Sequence, residues 1–181
     1  MSRIPIPATI EDAPEAAQDG LRAIQAAQGK AANLHRTIAR SPATLAAYLA
    51  MGQALDTGTL DPAIARRIAI GSAQTNGAEY CLAIQCTLGR AAGLTPAEIE
   101  AARLWHSRKA DAAAALSFAE AVLTEVGHVP SAIFADVRAS GLSDEAMVEI
   151  VGHVAMNVMA NYIASAFDLE IDYPAVEPLE S

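Results

Sequence analysis

The composition and turn pattern of the sequence predict an all-α protein. Hydrophobic residues make up 52% of the 181 residues but aromatic residues only 4%, and alanine supplies much of the apolar share. Alanine is the strongest helix former, and its small side chain lets helices pack closely. Runs of β-branched residues bounded by turns, which are typical of strands, are scarce. A chain of this length fits one domain, which we assign to residues 1–181.

Prolines and capping residues mark the boundaries of the elements. Pro5, Pro7 and Pro14 predict an extended arm over residues 1–12, because proline opposes regular structure. Helix starts are indicated where a capping residue precedes proline, at Ser41-Pro42, Asp61-Pro62 and Thr95-Pro96. The predicted helices span residues 15–28, 33–40, 42–55, 62–75, 77–92, 96–106, 111–126, 131–139 and 143–167, followed by a tail over 168–181.

Two further capping signals come from polar residues without a following proline. Asn76 and Glu79 have the spacing of a capping box, which places a helix start at Gly77. Ser131 is expected to cap the short helix after Pro130.

One turn pattern occurs twice. Ala92-Gly93-Leu94-Thr95 is echoed by Ser140-Gly141-Leu142-Ser143, 48 residues later. Such an echo indicates a duplicated helical unit. The alternative is that any turn between two helices carries these residue types.

Charge and hydropathy limit the possible partners and the possible cellular location of the protein. The net charge of −9 argues against nucleic acid, whose binding needs clustered lysine and arginine. No uninterrupted apolar run of about 18 residues is present, so we expect no membrane helix. The first residues lack the apolar region of a signal peptide, and the chain has two cysteines. We therefore expect a cytoplasmic protein with reduced thiols.

Cys81 is the candidate nucleophile. It lies in the first turns of a predicted helix, where the helix dipole can lower the pKa of a thiol and favour the reactive thiolate. The alternative is core packing, because free cysteine is among the most buried residue types. Cys86 follows five residues later, which puts the two Cα atoms roughly 8–9 Å apart on different helix faces. That separation is too long for a disulfide, so Cys86 is assigned to the core.

No other cofactor or metal motif stands out. The four histidines have no spacing typical of metal ligands, and there is no phosphate loop, so we expect neither metal nor cofactor. His153 lies among apolar residues of the last helix, where a buried structural histidine is the simpler interpretation. The Arg66-Arg67 pair would ordinarily face solvent, although Arg66 is close enough along its helix to reach the Cys81 region.

Several motifs together resemble one known family. In chain order they are Arg67-Ile68-Ala69-Ile70-Gly71, Asn76-Gly77-x-Glu79-Tyr80-Cys81, Ala92-Gly93-Leu94, Phe118-Ala119, Gly141-Leu142-Ser143, Asn161-Tyr162-Ile163 and Ile171-Asp172-Tyr173-Pro174. The set resembles the carboxymuconolactone decarboxylase and alkylhydroperoxidase D-like family, including its peroxidase-related subgroup. Residues 60–106 hold the core motif. The resemblance implies an alkylhydroperoxidase D-like helical bundle and a homo-oligomer, whether dimer, trimer or hexamer.

The peroxidases of that family use four residues, of which this chain keeps one. They carry a C-x-x-C pair, a histidine four residues after the second cysteine and a glutamate twelve before the first. The matching positions here are Ala78, Cys81, Gln85 and Arg66. The resemblance therefore implies a one-cysteine cycle on a small peroxide, with an external thiol as reductant. In that cycle Arg66 would stabilise the Cys81 thiolate, and Gln85 would hydrogen-bond the peroxide or the sulfur.

Two alternatives stay open. One is a non-redox decarboxylase or isomerase that holds a small lactone acid through Arg66 and His153. The other is a non-catalytic helical oligomer. A peroxidase-like oxidoreductase requires a reactive, partly exposed Cys81, whereas the non-catalytic interpretation predicts an inert one.

Overall fold

The computed structural model describes residues 2–179, which fold into helices joined by turns and flanked by two arms. In chain order the helices are α1 (Glu15–Gln28), α2 (Asn33–Ile38), α3 (Pro42–Asp56), α4 (Pro62–Thr75), α5 (Glu79–Ala91), α6 (Pro96–Arg103), α7 (Ala110–Thr124), α8 (Ser131–Ala139) and α9 (Asp144–Ala166). No strand occurs within residues 2–179. The predicted all-α class is confirmed.

Side-chain caps begin four of the helices. The side chains of Ser41, Asp61, Thr95 and Ser143 each accept a hydrogen bond from a backbone N–H in the first turn of α3, α4, α6 and α9. These caps satisfy donors that the helix itself leaves unpaired. Thr95 and Glu98 form a full capping box.

Two of the predicted caps are wrong. Asn76 ends α4 and does not cap α5, which begins at Glu79 after Ala78 without a side-chain cap. The backbone N–H of Ala78 bonds instead to the Ala73 carbonyl at 2.9 Å, so a tight turn around Gly77 sets this start. Ser131 is the first residue of α8 and does not cap it.

Helix α4 is the central element of the fold. It packs against α5, α6, α7 and α9, and every residue from Arg67 to Ala73 is buried. Ile70 belongs to a core shared with α1, α2 and α5, whereas Ile68 belongs to a second core shared with α7 and α9. Helix α4 therefore joins two apolar clusters.

Glycine permits close approach at two helix contacts. A Cβ atom on Gly71 of α4 would lie 2.8 Å from the indole ring of Trp105. A Cβ atom on Gly152 of α9 would lie 3.0 Å from Leu55 of α3. The second contact brings α3 and α9 together beside the cavity described below.

Both ends of the described chain pack on the helical body. The Arg3 backbone N–H donates to the Phe167 carbonyl at 2.8 Å. At the other end, Asp172 accepts a 2.6 Å hydrogen bond from the Tyr80 hydroxyl and lies 3.4 Å from the Lys30 amine. The predicted tail is thus an arm up to residue 179, and residues 1, 180 and 181 lie outside the described part.

The repeated turn motif has the same backbone conformation at both of its positions. Gly93 and Gly141 both adopt positive φ, 89° and 87°, before the caps Thr95 and Ser143. The two joints are alike in conformation, and the duplicated unit stays a prediction. None of the helices over residues 2–179 is both long and apolar enough to cross a membrane.

Candidate active site

A cavity of about 230 Å³ lies between α3, α4, α5 and α9, with α2 at one end. Each helix contributes residues that recur on one face, at intervals of three or four positions. The polar lining residues are Gln28, His35, Tyr48, Asp56, Arg66, Gln85, His153 and Asn157. The apolar lining comes from Leu34, Gly52, Leu55, Pro62, Ala65, Ala69, Ile84, Leu88 and Met156.

Arg66 and Gln85 meet in this cavity. Helices α4 and α5 follow each other in the chain and pack side by side. The Arg66 guanidinium donates to the Oε1 atom of Gln85, and its Nε atom has no partner within residues 2–179. Burial lowers the pKa of Arg66, while Asp56 and Tyr48 oppose that shift. Arg66 forms no contact ion pair with a carboxylate in the described chain.

The neighbouring arginine has a structural role. Arg67 is buried and pairs with Glu98 at 2.8 Å, so the expectation that both arginines face solvent is wrong. Glu98 also completes the α6 capping box, which joins α4 to α6.

Cys81 is buried beneath the cavity wall. It is 2% exposed and lies on the α5 face that continues through Ile84, Gln85 and Leu88 into the cavity lining. Burial raises the pKa of the Cys81 thiol to about 12. The expected lowered pKa and partial exposure are therefore wrong, because desolvation outweighs the dipole of α5 and Arg66 is bonded to Gln85.

Tyr48 of α3 is a cavity residue that the sequence analysis missed. Burial is the main cause that raises the pKa of its hydroxyl to about 12, with a smaller contribution from the charge of Cys81, while Arg66 opposes the rise. Tyr48 lines the cavity together with Arg66 and packs against the apolar cluster that contains Cys81. The sequence offered one signal for Tyr48. It is the single tyrosine of the alanine-rich helix α3, and it lies four residues before Gly52 and seven before Leu55, which puts it on the same helix face as these two cavity residues.

Two histidines also line the cavity. His35 is 4% exposed, its ring centroid lies 6.2 Å from that of Tyr48, and its Nδ1 atom has no hydrogen-bond partner among the described residues. Burial lowers the pKa of His35 to about 4, although Asp172 opposes the shift. His153 is half-buried, and burial lowers its pKa as well. Burial thus favours the neutral form of both imidazoles.

Cys86 and Ala78 do not line this cavity. Cys86 is fully buried in the core, and both cysteines are free thiols. Ala78, at the position of the missing first cysteine of the C-x-x-C pair, is also buried. Within residues 2–179 no cluster of three or more His, Cys, Asp or Glu side chains is placed to hold a metal ion.

Comparisons with known proteins agree with this architecture. Residues 42–125 match the model of the carboxymuconolactone decarboxylase family. The structure is similar to the alkylhydroperoxidase core of a peroxidase-related protein from Ralstonia eutropha JMP134, with 23% identity, a TM-score of 0.83, and 94% of this chain and 92% of that chain covered. A peroxidase-related protein from Silicibacter sp. TM1040 gives 21% identity and a TM-score of 0.80, with 93% and 91% covered.

A third similar structure is a debrominase. It is a cysteine-to-alanine variant of Bmp8 in complex with 2,3,4-tribromopyrrole, with 23% identity, a TM-score of 0.80, and 95% of this chain and 94% of that chain covered. No curated protein sequence matches this chain significantly. At these identities the structural matches establish the fold. Residues 42–125 thus match the carboxymuconolactone decarboxylase family, and the whole described chain has the alkylhydroperoxidase-core fold.

Proposed function

We propose that the protein is a one-cysteine thiol oxidoreductase that reduces a small hydroperoxide at Cys81. The observation that carries the proposal is the cavity itself, whose α5 wall continues to Cys81 and holds the bonded pair of Arg66 and Gln85. A cation and an amide at that place can hydrogen-bond the oxygen atoms of a peroxide, and the peroxide must be small enough to pass the cavity wall to the sulfur, which is 2% exposed. The resemblance to peroxidase-related proteins supports the same chemistry.

Each turnover would pass through a sulfenic acid. The Cys81 sulfur attacks the terminal oxygen of the hydroperoxide, so an S–O bond forms, the O–O bond breaks and an alcohol leaves. A first external thiol then displaces water and forms a mixed disulfide. A second external thiol releases Cys81 and carries the oxidising equivalents away as a disulfide. The single cysteine on this face of α5 makes an external reductant necessary.

The experiment is sulfenic-acid trapping on the full chain. Wild-type protein is treated with tert-butyl hydroperoxide and dimedone, and the adduct is located by intact mass and peptide mapping. We expect the adduct on Cys81, its loss in Cys81→Ser, and its persistence in the matched variant Cys86→Ser. A Cys81 thiol that stays unmodified in folded protein would contradict the mechanism and favour the non-redox or non-catalytic alternatives.

A second candidate is reductive dehalogenation of a small ring compound. Two observations favour it: the apolar lining of the cavity and the shared fold of the debrominase crystallised with a brominated pyrrole. The sulfur would attack the halogen, and two external thiols would in net convert a carbon–bromine bond into a carbon–hydrogen bond with release of bromide. Bromide release from 2,3,4-tribromopyrrole under excess dithiothreitol would establish this activity, and its absence together with dimedone trapping would favour the peroxidase.

We also propose a cytoplasmic homo-oligomer. Reduced thiols fit a reducing compartment, which also supplies small thiol reductants. Helix α9 exposes Val148, Val151 and Tyr162, which are 72%, 44% and 62% exposed. Its neighbour α3 exposes a row of alanines at positions 43, 46, 47, 50 and 54. Apolar faces of this kind support contact with a second copy of the chain.

A further inference from the structure

A second cavity lies beneath the C-terminal arm and is separate from the cavity that holds Arg66 and Gln85. Its volume is about 370 Å³, and the two cavities share no lining residue. Most of its lining is apolar and comes from α5 and the arm, including Ala78, Leu82, Ile171, Ala175, Val176 and Pro178. A cavity of roughly 300–1,000 Å³ with an apolar lining and a few polar groups is the usual form of a small-molecule site.

Arg103, the last residue of α6, brings a cation to this second cavity. It is 8% exposed. Its Nε atom donates to the Oε1 atom of Gln74 at 2.7 Å, and a terminal amine donates to the Glu177 carbonyl of the arm at 2.9 Å. Both acceptors are neutral, and Arg103 forms no contact ion pair with a carboxylate of residues 2–179. Burial of an uncompensated charge costs free energy, so a bound anion would stabilise this guanidinium.

The buried arginine Arg67 has the kind of partner that Arg103 lacks. Arg67 is 3% exposed, and its guanidinium lies 2.8 Å from the Glu98 carboxylate. These two are the buried arginines of residues 2–179, and the one without a carboxylate partner lines a cavity. Glu79 also lines that cavity, but its side chain is exposed, so water screens its charge. An acidic group from a ligand would therefore complete the site at Arg103.

We propose that the second cavity binds a small amphipathic carboxylic acid. The carboxylate pairs with Arg103, whose guanidinium carries more N–H donors than Gln74 and Glu177 use. The hydrocarbon part of the acid packs on the apolar lining supplied by α5 and the arm. This binding site is independent of the thiol chemistry proposed for Cys81, because Arg103 does not line the first cavity.

The test is isothermal titration of the full chain with two probes of equal length, octanoate and its neutral amide, octanamide. Wild-type protein should bind octanoate more tightly than octanamide. Arg103→Met should lower the affinity for octanoate about tenfold or more and remove the preference over octanamide, because a charge-assisted hydrogen bond is lost. Arg90→Met is the matched control, since it removes an exposed arginine from the last turn of α5 and should bind octanoate like wild type.

A second variant tests the cavity without changing the cation. Ala175 is an exposed residue of the arm that lines the cavity, so Ala175→Trp should fill the space and abolish octanoate binding while the helical body stays folded. Thermal unfolding checks the fold of every variant.

Three results would overturn the proposal. They are a wild-type chain that does not bind octanoate at about 10 mM, an Arg103→Met variant that binds it as wild type does, and loss of binding in Arg66→Met alone. The last result would place the acid in the first cavity. Because no readout involves oxidation of Cys81, the proposed function is tested separately.

Discussion

Burial sets the protonation state of the groups around the cavity. It raises the pKa of Cys81 and Tyr48 and lowers the pKa of His35 and His153, so burial favours the neutral form of each of these four groups. Arg66 remains the cation of the site. The site therefore differs from a thiolate site, in which positive charge stabilises a sulfur that is already ionised.

At the residue scale, His35 should make the protein sensitive to acid. Its pKa falls from 6.5 to about 4 on folding, so unfolding favours its protonated form. The stability that depends on neutral His35 is complete above about pH 6.5 and is lost as pH falls through about 4. We expect the free energy of unfolding to drop by up to about 3 kcal/mol from this group over that interval.

Urea unfolding at a series of pH values measures this effect. His35→Gln should flatten the pH dependence between about pH 6.5 and 4, whereas His128→Gln, at an exposed turn, should leave it unchanged. Parallel pH profiles for His35→Gln and wild type would mean that His35 is accessible to protons in the folded state.

At the scale of elements, the sequence predicted the features that depend on residues close together in the chain. Four helix starts follow from caps that act within one turn, and Arg66 meets Gln85 because α4 and α5 are consecutive and packed together. Tyr48 and His153 reach the cavity from helices that are distant in the chain. Their arrival depends on the packing of α3 and α9, which no local pattern encodes. The burial of Cys81 likewise follows from packing.

Also at this scale, the contact between α4 and Trp105 should tolerate no added methyl group. Gly71→Ala gains helix propensity, but its Cβ atom would lie 2.8 Å from the indole ring, which is held at 5% exposure. We expect a net loss of about 1–3 kcal/mol in the free energy of unfolding.

A second helix glycine provides the comparison. At Gly89 of α5 the nearest atom to an added Cβ is a terminal methyl of Ile70 at 3.3 Å, and that methyl can shift. Gly89→Ala should therefore be close to neutral in chemical denaturation. If both variants lose the same stability, the close approach at Trp105 is not the cause.

At the scale of the whole molecule, two apolar clusters are joined through α4 and an apolar strip of α9 faces outward. The strip lies on the helix that also carries His153 and Asn157 into the cavity. A contact between copies through α9 would therefore stabilise the helix that forms one wall of the site.

The proposed assembly can be measured by light scattering coupled to size exclusion. We expect a mass that is a multiple of one chain, and a shift toward one chain in Val148→Glu combined with Val151→Glu, because buried charge opposes association. Val126 is 83% exposed and lies in the turn after α7, so Val126→Glu should leave the mass unchanged. A wild-type chain that elutes as a monomer at micromolar concentration would remove this proposal.

The depth of Cys81 also decides which molecules can find it. A sulfur that is 2% exposed behind a cavity of about 230 Å³ is reached by an oxidant according to its size and shape. Bulky electrophiles and protein disulfides are excluded by the surrounding helices. Proteome-wide surveys that label thiols with large reagents would therefore classify this cysteine as unreactive, whether or not small oxidants reach it.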